Sequence, residues 1–73
     1  MLNPNFSSRA LRRIRAERGL SRQQLADAVR CHKSAVQRWE QGLRTPNNQA
    51  LMVAASVLGC TVEDLLVGSE VAK

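Results

Sequence analysis

Aromatic residues are almost missing from this chain of 73 residues: Phe6 and Trp39 stand alone, and tyrosine is absent. The β-branched residues are scattered, and no segment alternates apolar with polar positions, so strands are not expected. Cysteine is scarce too. Cys31 and Cys60 are too few for a disulfide framework, and with the single His32 they fall short of a structural zinc site. Cys31 and His32 are also adjacent, whereas zinc ligand pairs are spaced further apart. No metal, disulfide or cofactor is expected, and the thiols suit a reducing compartment. Met1 to Ser8 has no apolar leader segment, and the longest apolar-rich run, Leu51 to Leu58, is far shorter than a membrane span. The expectation is a cytoplasmic protein that makes no use of a membrane. Carboxylates are few, His32 has no catalytic partner at workable spacing, and the glycines are isolated. Neither a catalytic set nor a phosphate-cradling loop is present, so no enzyme is expected.

What the chain does have is positive charge on one half. Arg9, Arg12, Arg13, Arg15, Arg18, Arg22, Arg30, Lys33, Arg38 and Arg44 face only Glu17, Asp27 and Glu40 within residues 1–44, a balance of +7. Residues 45–73 hold Lys73 against Glu63, Asp64 and Glu70, a balance of −2. A basic surface on a small domain suits a polyanion. Arginine, which dominates here, binds phosphate and guanine with two parallel hydrogen bonds.

Helical signals fill the sequence. Ser7 or Ser8 can cap a first helix that carries Ala10, Leu11 and Ile14 and stops at Gly19. Ser21 and Gln24 form a capping box for a second, with Leu25, Ala26 and Val29 as its apolar stripe. A third starts near His32, turns Val36 and Trp39 inward, and ends at Gly42. Asn47 caps a fourth, which buries Leu51, Ala54, Ala55 and Leu58 before Gly59. Thr61 opens a short fifth with Val62, Leu65 and Leu66. The expected fold is all-α: one compact five-helix domain over residues 1–73, with an N-terminal arm at 1–7 and a frayed tail at 68–73.

Residues 22–41 read as a helix-turn-helix. Ala26 is small where two helices cross closely, while Leu25, Val29, Val36 and Trp39 pin the pair, and Arg30-Cys31 forms the turn. Lys33, Ser34, Gln37, Arg38 and Gln41 share one polar face opposite Val36 and Trp39. Such a face is either ordinary solvated surface or a reader of base edges; the basic surroundings favour the second.

Taken together, Leu11 to Arg15, Gly19-Leu20-Ser21-Arg22-Gln23-Gln24-Leu25-Ala26, Val36-Gln37-Arg38-Trp39-Glu40-Gln41-Gly42, Arg44-Thr45-Pro46 and Leu58-Gly59-Cys60-Thr61-Val62-Glu63-Asp64-Leu65-Leu66 carry a resemblance. The chain resembles the Cro/cI-type, phage-repressor-like helix-turn-helix proteins, also called the xenobiotic-response-element family, over residues 9–67. The resemblance implies a sequence-specific regulator of transcription, with repression as the expected outcome, that docks the third helix in the major groove. His32, Lys33, Ser34, Gln37 and Arg38 are then the base-reading positions, with His32 at the groove's edge. Arg13, Ser21, Arg22, Gln41, Arg44 and Thr45 are the phosphate contacts. The resemblance further implies a partly buried salt bridge between Arg15 and Glu40. Two departures stand out: Arg30 occupies a turn position where the family commonly has glycine, and Arg22 one where it often has glutamine.

The expected partner is double-stranded DNA, read as a palindrome by a homodimer, because one small domain contacts too few base pairs to be specific in a genome. Leu58, Cys60, Val62, Leu66 and Val67 are the candidate dimer residues; the same pattern is compatible with simple closure of the monomer's core. The alternative function is an antitoxin-type protein that binds a toxin as well as its own operator.

Overall fold

The computed structural model describes residues 5–67. Four α-helices follow one another: α1 (Ser8–Glu17), α2 (Arg22–Val29), α3 (Lys33–Gln41) and α4 (Asn48–Leu58). A single 3₁₀ turn, Glu63–Leu65, comes last. No strand is named among the described residues.

Local chemistry fixes the helix ends. The Ser7 hydroxyl accepts from the Ala10 amide at 3.1 Å and starts α1. Ser21 and Gln24 cap α2 reciprocally, with Ser21 Oγ accepting from Gln24 N at 3.0 Å and Gln24 Oε1 from Ser21 N at 2.8 Å. Asn47 Oδ1 accepts from Ala50 N at 2.8 Å and opens α4. Gly42 and Gly59 close α3 and α4 with φ of 78° and 70°, a left-handed conformation that costs glycine little.

The core draws on every element. Leu11 and Ile14 of α1, Leu25 and Ala26 of α2, Val36 and Trp39 of α3, and Leu51, Ala54, Ala55 and Leu58 of α4 are buried together with Leu65. Ala26 has no exposed surface, as the close approach of α2 to its neighbours requires.

The chain departs from a five-helix fold at its end. Thr61 Oγ1 accepts from Asp64 N at 3.1 Å, and Asp64 Oδ2 from Thr61 N at 3.0 Å, so a capped turn does begin. It does not propagate, because Leu66 is extended, with φ −104° and ψ 155°. Leu66 pairs in an antiparallel bridge with Phe6, Ser7 N donates to Leu65 O at 2.8 Å, and Val67 N donates to Asn5 O. Pairing with the start of the chain replaces a further helical turn. The same pairing corrects the reading of residues 1–7 as an arm: Phe6 and Ser7 are buried parts of the fold. Met1 to Pro4, and the tail at 68–73, lie outside the described residues.

Candidate nucleic-acid interface

The α2–α3 unit sets the geometry of the basic surface. At its turn, Cys31 N donates to Ala26 O at 2.9 Å and Arg30 N to Asp27 O at 3.2 Å, closing the end of α2. Arg30 has φ 67° and ψ 47° and is the one positive-φ residue other than glycine among those described. A side chain in this conformation costs on the order of 1–2 kcal/mol. The strain is set where the chain must reverse between the two helices, and it leaves the Arg30 side chain exposed.

His32 caps α3. Its Nδ1 accepts from the Ser34 amide at 3.2 Å and lies 3.0 Å from Ser34 Oγ. Beyond it, Lys33, Gln37, Arg38 and Gln41 are exposed and Ser34 is half-buried, while Val36, Trp39 and Glu40 are buried. The two sides of this nine-residue helix are thus chemically separate. Leu43 N and Arg44 N both donate to Arg38 O, so the chain wraps closely around the end of α3. This brings Arg44 and Thr45 beside Arg38 and Arg30. The four line an open groove of about 520 Å³ together with Cys31, Trp39 and Ala50.

On the N-terminal side of α2, Arg22 and Ser21 lie at the edge of the same unit. Ser21 is exposed and its hydroxyl caps the helix. Arg22 Nε donates to Glu40 Oε1 at 2.9 Å. Glu40 also receives Arg15, whose Nε lies 2.5 Å from Oε2 and whose Nη2 lies 3.2 Å from Oε1. One buried carboxylate therefore serves two arginines. Sequence reasoning missed the second: the family resemblance pairs Glu40 with Arg15 alone, and the Arg22 contact depends on how α2 packs on α3. Arg13 pairs with Glu17 at 3.6 Å along α1, both exposed.

The residues assigned to dimerisation divide. Leu58 is 1% exposed and belongs to the chain's own core, so it is not available on a surface. Cys60, Val62 and Leu66 are half-buried against that core, whereas Val67 is 65% exposed. Sequence reasoning also passed over Met52 and Val57 of α4, which face outward. Their signal was the doubled apolar face of α4, where Met52, Val53 and Val57 fall outside the buried stripe. Burial raises the thiol pKa of Cys31 above its ordinary value. Burial raises that of Cys60 too, with Asp64 adding to the rise and Arg18 opposing it. Among the described residues no group of His, Cys, Asp and Glu is placed to hold a metal, and no helix is long and apolar enough to cross a membrane.

Comparison with known proteins agrees with this geometry. The helix-turn-helix family matches residues 11–65. The transcriptional activator BcrR of Enterococcus faecalis is 30% identical over 60 residues, which are 82% of this chain and 29% of that protein. The chain therefore spans less than a third of that relative. The clp gene regulator ClgR from Corynebacterium glutamicum superposes with a TM-score of 0.76 at 29% identity, over 80% of this chain and 62% of that one. The biofilm regulator SinR from Bacillus subtilis, in its complex with DNA, superposes with a TM-score of 0.75 at 32% identity, over 81% of this chain and 98% of that one. An all-helical fold of this order and a match across most of its length make one conclusion plain: the chain belongs to the Cro/cI-type helix-turn-helix family of DNA-binding transcription regulators.

Proposed function

We propose that this protein binds double-stranded DNA sequence-specifically, with α3 in the major groove, and regulates transcription from the cytoplasm. The observation that carries the reading is the segregation of α3: Lys33, Gln37 and Arg38 exposed on one side, Val36, Trp39 and Glu40 buried on the other. Nothing in the core needs these polar side chains, and their chemistry fits base edges. Arg38 or Lys33 suits guanine, and Gln37 suits adenine. Ser34 and His32 stand at the N-terminal end of the helix, where side chains come nearest the floor and edge of a groove. Arg22, Arg44, Thr45, Gln41, Ser21 and Arg13 are assigned to phosphates, which position the domain without carrying sequence information. A homodimer on a palindromic operator supplies the specificity that one domain lacks.

Selection of duplexes from a random pool, followed by affinity measurement over a salt series, tests this reading. Arg38→Ala is expected to cost about 1–3 kcal/mol and to relax preference at one base pair. Arg44→Ala is expected to weaken all duplexes alike and to lower the salt slope by about one unit. Unchanged specific binding after replacement of both Gln37 and Arg38 would remove α3 from the role of reader.

A further inference from the structure

The side chain of Glu40 is 1% exposed and has two cationic partners of unequal kind. Arg15 is 13% exposed and fully engaged: Nε and Nη2 grip the carboxylate, and Nη1 donates to Leu20 O at 2.7 Å. That pairing already neutralises Glu40. Arg22 is additional. It is 41% exposed and touches the carboxylate through Nε alone, while neither of its Nη groups has a hydrogen bond within the described fold. Two guanidinium groups on one carboxylate leave a local charge of +1, carried outward by Arg22.

We infer that Glu40 is a positioning residue for DNA binding, holding Arg22 by Nε so that its free Nη edge is set to take one backbone phosphate. A guanidinium can use its edges separately, and the edge between the two Nη groups matches two oxygens of a phosphate. Anchoring Nε to a buried acceptor removes much of the rotamer freedom that a long side chain otherwise loses on binding. The anchor sits on α3, four residues after the buried Val36, so the phosphate contact and the base-reading helix are braced against the same carboxylate. The phosphate adds the second negative charge that the Arg15–Glu40–Arg22 cluster lacks. This inference rests on the proposed DNA binding and deepens it: it names Glu40, a buried residue that touches no DNA, as the source of an ordered phosphate contact.

The test uses the whole chain and a labelled mixed-sequence duplex two helical turns long, with anisotropy followed over a salt series. Arg22→Ala is expected to weaken binding about tenfold and to lower the salt slope by about 0.9. Arg22→Lys is expected to restore the slope but little of the affinity, because one ammonium lacks a second edge to offer while it holds Glu40. In the free protein, the Arg22 Nε–Hε signal should be resolved by nitrogen-15 NMR and protected from exchange, and Glu40→Gln should weaken that protection. Should Glu40→Gln fail to fold, the protection in the unmodified protein and the Arg22→Lys affinity still decide. Full affinity in Arg22→Lys, or an unprotected Nε–Hε, would reduce Arg22 to a loose surface charge and overturn the inference while leaving DNA binding intact. An unmodified protein that binds no duplex would overturn the proposed function itself, and this inference with it.

Discussion

The Arg15 guanidinium lies side-on against the Glu40 carboxylate and ties α1 to the end of α3, with Nε to Oε2 at 2.5 Å and Nη2 to Oε1 at 3.2 Å. The remaining Nη1 holds Leu20 O, so the same group also fixes the link between α1 and α2. Among the described residues, no buried side-chain nitrogen or oxygen lacks a partner. A small core thus contains a charged centre whose buried polar atoms are all partnered.

Removing different members of that set should have unequal effects. Replacing Glu40 by Leu strands Arg15 and Arg22 side by side and is expected to destabilise the fold by roughly 3–5 kcal/mol. Replacing Arg15 by Met leaves Glu40 one cation, Arg22, and should cost less. The double replacement should cost less than the sum, because no lone charge then stays desolvated. Urea denaturation of the two single variants and the double variant reads this directly, and strictly additive losses would contradict it.

Arg30 offers a prediction of opposite sign. Its φ of 67° is a conformation that glycine adopts without the Cβ penalty. Arg30→Gly gains that relief but also loosens the unfolded chain, so the net stabilisation should be about 0.5–1 kcal/mol. Arg30→Ala keeps the strain and should show no gain. The midpoints of urea unfolding for the two variants separate backbone relief from any loss of the arginine's charge.

The thiols give a pH dependence. Burial raises the folded-state pKa of both Cys31 and Cys60 above the ordinary thiol value of 9.0. The folded protein then holds these protons more tightly than the unfolded chain does. Their contribution to stability is fully present below pH 9.0 and falls as pH rises through the raised folded values. Unfolding midpoints should therefore drop above pH 9.0, and the drop should shrink when both thiols are replaced by alanine. Alkylation of the folded protein near neutral pH should also be slower than that of the unfolded chain.

Much of this fold is legible in the sequence because helix ends are local. The Ser21–Gln24 box, the Asn47 cap and the stops at Gly42 and Gly59 each depend on residues within one turn, and all sit where the sequence places them. Phe6 and Leu66 are different. Their bridge joins the two ends of the described chain, and no local pattern marks it, so a helix at Leu66 and an arm at Phe6 are the natural but incorrect expectations. The surface is similarly uneven. The polar face of α3 follows from helical periodicity alone, whereas the Arg22–Glu40 contact needs the packing of α2 against α3. Leu58 looks the same in a sequence whether it closes a core or meets a partner, and only its burial decides.

That burial narrows the surface on which two copies would meet. With Leu58 in the core, the outward apolar groups of the C-terminal third are Met52 at 62% exposure, Val57 at 37% and Val67 at 65%. The cationic groups lie mainly before residue 45, and Glu63 and Asp64 lie beyond it, so pairing through this third leaves both basic surfaces free for DNA. The patch is small, and a stable interface needs roughly 800 Å² on each partner. The free protein should therefore be mostly monomeric, with pairing completed on DNA, where two half-sites about 34 Å apart hold the copies together. Sedimentation over a concentration series, with and without a palindromic duplex, should show a weak self-association that becomes two copies per duplex. Val57→Asp and Val67→Asp should lower the cooperativity of that second binding step and leave the affinity for a single half-site nearly unchanged, because neither residue lies on α3 or among the residues proposed to contact phosphates. A strictly one-to-one complex on a two-half-site duplex would reject the paired arrangement.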